Sequence, residues 1–345
     1  MKKQLSGKIF AIGLALLLVT LLIPLGASGD DKAIKWKFVT LYPKGTGFFK
    51  VYEAFSEDVK KMSGGRLLIQ MLGSGEGVAA NQVLGAVSRG LIQLGNPFMV
   101  YHVGELPSGV VELGLPGGPP SYLGLVTLFN EEGWKEILRK AYATENCYWI
   151  NTLLQPAPVY LLTKKPINSL DDLANMKIRA PGAYGKMLSK FGVSNVTCDF
   201  SEVYTSLATG VFDALIGMNL MDIRDYSLYE IAKYIYPLPA VATQTAPILA
   251  NMDAWNKLPD DLKAIVEIAS TEFGQNMARK CFIWEGEAKS EMTSKGLKMS
   301  PQPSEADAKR WAEAAQTVWP EYAKKDKFSA ELIKIQSEFI KKYSF

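Results

Sequence analysis

The feature that most constrains the fold is a long stretch without proline in the last third of the chain. Beyond Pro259, a favourable first residue for a helix, the next proline is Pro301. Apolar residues recur through this stretch at helical spacing, namely Leu262, Val266, Ala269, Phe273, Met277 and Trp284. A helix of about 30 residues spans roughly 45 Å, which is longer than a small domain. We therefore predict one helix that bridges two lobes.

Before that stretch, strand-like and helix-like segments alternate. Predicted strands cover residues 36–41 and 67–71, and apolar residues between them recur at helical spacing. A helix and a short strand at 91–94 follow. This order predicts a largely parallel sheet with helices on its faces, and hence an α/β fold.

A second alternating series begins at Val159. Predicted strands lie at 159–163, 176–178, 212–216 and 247–251, with helical spacing between them. Asp199 and Glu202 form a predicted capping box for one helix, and Ser304 and Ser329 are predicted N-caps for two final helices. Residues 105–122 are rich in glycine and proline and are predicted to form a loop, which is either a functional surface or a plain connection.

The length of the chain after its N-terminal segment favours two lobes, because roughly 310 residues is more than one compact core usually holds. We assign residues 30–155 to the first lobe and residues 156–240 to the second. Residues from about 241 to 285 are predicted to complete the first lobe, and residues 286–345 the second.

Residues 1–29 have the pattern of a secretory signal peptide. Three lysines precede an apolar run from Ile9 to Leu25, and Ala27-Ser28-Gly29 supplies small residues for cleavage. The run is slightly longer than an ordinary signal core, so an uncleaved membrane anchor is the alternative. No cysteine follows the run, which argues against a lipoprotein anchor. We expect a soluble exported protein.

The charge of the chain argues against nucleic-acid binding. The whole chain has 38 basic and 35 acidic residues, and the N-terminal segment holds three of the basic ones, so the remainder is neutral. A neutral chain without a lysine or arginine cluster lacks the basic surface that binds phosphates. The three cysteines, Cys147, Cys198 and Cys281, are far apart without metal spacing, and we expect free thiols.

Enzymatic function is not expected from this sequence. Its only histidine is His102, there is no Gly-x-Ser-x-Gly elbow, and no cluster of cysteine and histidine suggests zinc. We expect no cofactor. A cation held by carboxylates and carbonyls stays open, because such ligands leave no spacing signature.

One arginine is presented by a well-defined segment. Ser169 and Asp172 make a helix-opening signal, a short strand follows, and Pro181 favours an extended Ala180, so Arg179 lies at the carboxyl end of a strand. That end is where open α/β sheets bind ligands. A guanidinium fork matches a carboxylate, and we expect it to face a solvated cleft. A surface ion pair is the alternative role for Arg179.

Four segments together resemble the DctP-like solute-binding subunits of tripartite ATP-independent periplasmic (TRAP) transporters. They are Ser63–Met71, Asn168–Pro181, Ser201–Asp213 and Trp255–Leu262, in the order found in that family. The resemblance implies a two-lobed periplasmic solute-binding fold in which Arg179 pairs with a substrate carboxylate. It also implies capture of an organic acid in the periplasm and delivery to a permease with a small and a large membrane subunit. A ligand-binding partner of a sensory receptor and a secreted hydrolase are the alternatives.

Four further residues are candidate ligand contacts. Gln155 is a possible donor to a substrate oxygen, or else a hinge residue. In the resembling family an asparagine commonly occurs where this chain has Gly217, and Asn219 lies two residues later in its place. Tyr42 and Phe48 are plausible cleft walls, although aromatic residues at such boundaries are as often core.

We expect the ligand to be a monocarboxylate such as a 2-oxo, hydroxy or aromatic acid. Sialic-acid-binding members of the family carry a second arginine where this chain has Val159, which offers no partner for a second polar group. Unpaired polar groups in a closed cleft cost about 1 to 3 kcal/mol each. The pocket is therefore expected to be polar at one end and apolar at the other.

The first prediction concerns processing at the N-terminus. The exported chain should begin near Asp30 and be released from Gram-negative cells by osmotic shock, because residues 1–29 match a cleaved signal. N-terminal sequencing of the exported protein checks this. Recovery of full-length chain in the membrane fraction alone would show an anchored protein instead.

Overall fold

A computed structural model describes residues 33–198 and 202–343 of the protein. The strands in these ranges are β1 (Ile34–Val39), β2 (Leu67–Leu72), β3 (Leu94–Gly95), β4 (Cys147–Gln155), β5 (Tyr160–Thr163), β6 (Lys177–Arg179), β7 (Ser194–Val196), β8 (Ala214–Met218), β9 (Tyr234–Ile235), β10 (Gln244–Asn251) and β11 (Lys298–Met299). Residues 1–32, which include the predicted signal segment, and Asp199 of the predicted capping box lie outside the described residues.

Helices fill the intervals between these strands. The α-helices are α1 (Gly47–Met62), α2 (Val83–Ser88), α3 (Pro107–Gly114), α4 (Tyr122–Asn130), α5 (Trp134–Ala143), α6 (Ala183–Leu188), α7 (Val203–Thr209), α8 (Leu220–Asp225), α9 (Met252–Lys257), α10 (Asp260–Ser294), α11 (Glu305–Gln316), α12 (Trp319–Ala323) and α13 (Lys327–Lys342). Short 3-10 helices lie at Ala80–Gln82, Met99–His102, Leu170–Leu173, Ser189–Phe191 and Leu228–Glu230. None of the described helices combines the length and apolar character needed to cross a bilayer.

The strands form two sheets, as the predicted two-lobed α/β fold requires. The first sheet has the order β2-β1-β3-β10-β4, and the second has the order β11-β9-β5-β8-β6-β7. The expectation of largely parallel sheets is wrong, because both are mixed. In the first sheet β10 runs antiparallel to β3 and β4, and in the second β5 runs antiparallel to β8 and β9. The cause is the path of the chain between the sheets. β5 joins the second sheet directly after the chain leaves the first, and β10 joins the first sheet directly after the chain leaves the second.

Within the described residues the chain passes between the sheets three times: once through α9 and α10, from β10 to β11, and twice through shorter connections that run side by side. The first of the shorter connections joins β4 to β5, and the second joins β9 to β10. An isolated antiparallel bridge links them: the N–H of Val159 donates to the carbonyl of Val241 at 2.9 Å, and the N–H of Ala240 donates to the carbonyl of Val159 at 2.9 Å. A paired connection of this kind is a natural hinge, because few residues join the two sheets there.

The predicted long helix is α10, a single helix of 35 residues. It packs along β4 and α1 on the side of the first sheet and reaches α8, which follows β8 of the second. The helix therefore contacts elements of both sheets, as predicted. Each of the two large apolar clusters in the described core likewise contains residues from both sheets, for example Val39 with Ile178, and Phe38 with Leu215.

Several predicted segments differ from the observed ones. The loop predicted at 105–122 contains helix α3, because Pro107 is a favourable first helical residue there. The strand predicted at 91–94 is reduced to β3, since Leu91 is exposed in a turn. Ser304 caps α11 as predicted, but the last helix is capped by Asp326, whose side chain accepts the N–H of Ser329. The assigned lobe boundaries remain a proposal, which we refine by placing α12 and α13 beside α3 and α5.

A buried glutamate fastens α3 to the first sheet. The carboxylate of Glu112 accepts the hydroxyl of Tyr142 at 2.6 Å and the indole N–H of Trp149 at 2.7 Å, and its backbone carbonyl accepts the hydroxyl of Thr245 at 2.6 Å. Burial raises the pKa of Glu112 to about 7, against the opposing effect of the hydrogen bonds from Tyr142 and Trp149. These bonds join α3, α5, β4 and β10 in one network.

We predict that Glu112→Ala lowers the free energy of unfolding by about 2 to 6 kcal/mol. The variant leaves two buried donors without an acceptor, and each such group costs about 1 to 3 kcal/mol. Urea unfolding measures the change, with Glu131→Ala as a matched control because Glu131 is exposed at the end of α4. A loss for Glu112→Ala no larger than that of the control would contradict the network.

Candidate ligand-binding site

A cavity of about 300 Å³ lies where the strand ends of the two sheets meet. Its described walls combine apolar and polar side chains, together with Gly217; they are Leu41, Tyr42, Phe48, Ser74, Ala80, Val83, Asn96, Phe98, Tyr101, Leu113, Gln155, Gly217, Asn219, Asp222, Tyr226, Gln244, Thr245 and Ala246. These residues follow the carboxyl ends of β1, β2, β3, β4 and β8 or open β10, which runs the other way. A cavity at this place is typical of ligand sites in open α/β sheets.

Three of the residues predicted from the sequence meet on one wall. The amide nitrogen of Gln155 donates to the hydroxyl of Tyr42 at 2.6 Å, and the ring of Tyr42 stacks on Phe48 with centroids 4.2 Å apart. Phe48 in turn meets the edge of Trp284 from α10 at 4.9 Å. The stack holds the phenol of Tyr42 in place. In the hydrogen bond with Gln155, the phenol oxygen of Tyr42 is the acceptor.

The hydroxyl of Tyr42 remains a donor. Burial raises its pKa well above its usual range, so the proton stays on the oxygen at neutral pH. Because the amide of Gln155 already donates to this oxygen, the hydroxyl proton has to point elsewhere. A ligand oxygen in the cavity is a suitable acceptor.

The opposite wall is built by the turn between β8 and α8. The side-chain oxygen of Asn219 accepts the N–H of Asp222 at 2.9 Å, and the carboxylate of Asp222 accepts the N–H of Asn219 at 3.4 Å, which makes a capping box. Glu285 of α10 accepts the N–H of Met221 at 3.1 Å. Burial raises the pKa of Glu285 to about 7, although backbone N–H groups of Met221 and Leu220 oppose this change.

Arg179 lies directly behind this wall, at the end of β6 as predicted. Its guanidinium donates to the carbonyls of Ile216 at 3.5 Å and Cys198 at 3.3 Å. The expectation that the side chain faces a solvated cleft is wrong, because Arg179 is only 4% exposed and the described cavity lining does not include it. The neighbouring strand β8 covers the guanidinium.

Gly217 separates the cavity from Arg179. It lines the cavity with a φ of +105°, and a Cβ at this position would be 3.4 Å from Nη1 of Arg179 and 3.0 Å from the ring of Pro181. The absence of a side chain therefore leaves the space next to Nη1 of Arg179 free of a Cβ. A larger residue here would place its side chain beside the guanidinium.

A family comparison identifies the kind of protein that has this cavity. The sequence profile of the DctP family, described as bacterial extracellular solute-binding protein, family 7, matches residues 38–326. The chain belongs to this family. A monocarboxylate 2-oxoacid-binding periplasmic protein of Nostoc sp. is 29% identical over 273 residues, covering 79% of this chain and 75% of that protein.

Solved structures of this fold agree with the match. A TRAP periplasmic solute-binding protein of Colwellia psychrerythraea, described with bound calcium and pyruvate, has a TM-score of 0.80 at 23% identity, covering 91% of this chain and 96% of that one. One of Bordetella bronchiseptica, described as a dimer with calcium and picolinate, has a TM-score of 0.76 at 21% identity, covering 90% and 93%. The predicted TRAP solute-binding fold is therefore confirmed.

Membership of the family makes this solute-binding protein a binding protein and not an enzyme, as predicted. His102 agrees with this conclusion, since it is buried beside Glu105 and does not line the cavity. Within residues 33–198 and 202–343 no group of three or more histidine, cysteine or acidic residues is arranged to hold a metal ion. The cation that we left open occurs with the ligand in relatives of this fold.

Several residues that line the cavity of this solute-binding protein were not predicted from the sequence. Asn96 is fully buried, accepts the hydroxyl of Tyr52 at 2.5 Å and donates to the carbonyl of Pro247 at 2.7 Å. Asn96 directly follows the short buried strand β3, and a polar residue at a strand end is the signal that could have indicated a place in the site. Asp222 and Gln244 carried no signal, because Asp222 appears as an ordinary helix cap and β10 joins the first sheet from far along the chain.

Val159 does not face the ligand cavity, contrary to our expectation. Val159 is fully buried in the hinge bridge with Val241, and it is not among the described lining residues. Its side chain therefore decides nothing about a second polar group on the ligand. The described lining contains no lysine or arginine. A ligand therefore has no cationic partner among these lining residues.

Proposed function

We propose that this protein captures a small organic monocarboxylate between its two sheets in the periplasm and delivers it to a TRAP permease. The observation that carries the proposal is the position of Arg179 behind Gly217, next to a cavity whose described lining contains no cationic side chain of its own. One guanidinium suits one carboxylate, because its planar fork forms paired hydrogen bonds with the two oxygens. The 2-oxoacid-binding relative in Nostoc sp. supports the same class of ligand.

The other site residues have defined roles in this proposal. Tyr42 donates its hydroxyl proton to a second ligand oxygen, and Gln155 fixes the orientation of that hydroxyl. Phe48 packs behind the ring of Tyr42, and Asn219 shapes the turn opposite. A ligand held by Tyr42 and Arg179 touches residues from both sheets, and that double contact favours closure about the paired connections.

The membrane partners follow from the family. TRAP solute-binding proteins serve a permease, which the resemblance describes as a small and a large membrane subunit. In the closed protein, the surfaces on the parts that contain the first and the second sheet would lie together and could contact these subunits jointly. In the open protein, the same two surfaces would lie apart. The periplasmic location is supported by the name of the Nostoc relative and by the signal pattern of residues 1–29.

We predict that Arg179→Ala weakens binding of the preferred monocarboxylate by about 2 to 5 kcal/mol, because the carboxylate is left without its charged partner. Arg179→Lys should recover only part of the loss, since an ammonium lacks the fork. Isothermal calorimetry measures both affinities, after a thermal-shift panel of monocarboxylates, succinate and sialic acid has identified the ligand.

Folding has to be checked in the same series, because Arg179 is buried. Thermal unfolding of each variant without ligand shows whether its structure is intact, and Arg179→Lys keeps the charge and most of the volume. Arg89→Ala is the control, since Arg89 is exposed and does not line the cavity. Wild-type affinity in folded Arg179→Ala would refute the proposal, as would stabilisation by succinate or sialic acid alone.

A further inference from the structure

The cavity contains one charged side chain among its described lining residues, and that side chain is acidic. Asp222 lies in the first turn of α8, on the wall that faces Tyr42 and Gln155. A negative group is unexpected in a cavity proposed to bind an anion, because like charges repel strongly when water is displaced. Its presence therefore requires a role besides recognition of the ligand carboxylate.

Helix capping uses only part of the hydrogen-bonding capacity of Asp222. Its Oδ2 accepts the N–H of Asn219 at a long distance of 3.4 Å. The second oxygen, Oδ1, accepts no hydrogen bond from any residue that the structure describes. An ionised carboxylate can accept about four hydrogen bonds. Asp222 thus has unused acceptor capacity on the cavity wall.

The groups around Asp222 do not neutralise it. On its own helix, Arg224 donates to the exposed Asp225 at 2.9 Å. From α10, Glu285 approaches the same turn and brings no positive charge, while the hydroxyl of Tyr42 faces Asp222 from the other wall. Burial, together with Asp225, raises the pKa of Asp222 to about 6 despite the backbone hydrogen bond from Asn219.

We propose that Asp222 selects ligands that carry a hydrogen-bond donor, a hydroxyl or an ammonium group, in addition to the carboxylate. This inference rests on the proposed function, because it takes the carboxylate to be bound at Arg179. A donor on the ligand satisfies the free oxygen of Asp222, whereas a keto oxygen at the same place faces another acceptor. Two acceptors facing each other in a closed cavity leave both without a partner.

The preferred class is therefore the 2-hydroxy or 2-amino acid over the 2-oxo acid of the same carbon skeleton. The hydroxyl and the ammonium group share the donor chemistry but differ in charge. An ammonium group also forms an ion pair with ionised Asp222, and protonation of Asp222 removes that advantage. The amino acid should accordingly lose affinity as the pH falls from about 7.5 to 5, while the hydroxy acid changes less.

Matched ligand sets test the inference by calorimetry. Pyruvate, lactate and alanine form one set, and phenylpyruvate, phenyllactate and phenylalanine form another. Wild-type protein should bind a donor-bearing member at least about tenfold more tightly than the oxo acid of its set, the effect of roughly one charge-assisted hydrogen bond. Asp222→Asn should reduce this preference to about threefold or less, because the amide can present its NH₂ group to the keto oxygen.

The choice of variants separates ligand selection from folding. Asparagine keeps an oxygen that can accept the N–H of Asn219, so the capping box is retained. Asp225→Asn removes the same charge from the same helix at an exposed position outside the cavity lining. Because Asp225 helps to raise the pKa of Asp222, the variants are compared at pH 7.5, where Asp222 is ionised with or without Asp225, and the preference of Asp225→Asn should be that of wild type.

Equal or tighter binding of the oxo acids by wild type would overturn the inference, and so would an unchanged preference in folded Asp222→Asn. Either result leaves the proposed function standing if binding still depends on Arg179. Binding of no member of either set would contradict both proposals. A tenfold preference for a donor that Asp222→Asn abolishes, with Asp225→Asn like wild type, establishes Asp222 as the selecting residue.

Discussion

The site depends on one helix, α10, which packs against β4 of the first sheet and against α8, the helix that follows β8 of the second sheet. Successive residues of an α-helix point about 100° apart, so neighbours on α10 can reach different sides of the molecule. Trp284 contacts Phe48, which supports Tyr42 on the wall of the first sheet, and Glu285 accepts the N–H of Met221 in the turn that carries Asn219 and Asp222. Two adjacent side chains thereby fix both walls of the cavity.

This arrangement explains how a binding site can be both preorganised and able to close. Each wall is held to α10 by a specific contact, while the two shorter connections between the sheets are bridged to each other at Val159 and Val241. A rotation about those connections has to move at least one wall relative to the helix. Burial raises the pKa of Glu285, the acidic residue of one of these contacts, to about 7.

Much of the fold could be predicted from the sequence, because its signals are local. The 35-residue helix, the capping box at Ser169 and the position of Arg179 at the end of a strand follow from periodicity, capping residues and proline. The mixed sheets could not be predicted in this way. The antiparallel placement of β10 depends on a partner about 90 residues earlier in the chain, and no local pattern contains that information.

The same distinction applies to the site. Tyr42 directly follows the predicted strand 36–41, and Asn219 comes soon after the predicted strand 212–216, so both could be placed near the cavity from the sequence. Gln155 ends β4, a strand that was not predicted. The burial of Arg179 could not be predicted, since it depends on β8 covering the guanidinium beside Gly217. Nor could Asp222 be recognised as more than a helix cap, because only the assembled structure shows that its side chain lines the cavity.

The central claim is that the ligand carboxylate reaches Arg179 past Gly217. A crystal structure of the protein with its preferred monocarboxylate tests this most directly. The account predicts both carboxylate oxygens about 2.7 to 2.9 Å from the guanidinium nitrogens of Arg179, with another ligand oxygen accepting from the hydroxyl of Tyr42. A carboxylate bound elsewhere in the cavity, with Arg179 still covered by β8, would contradict it.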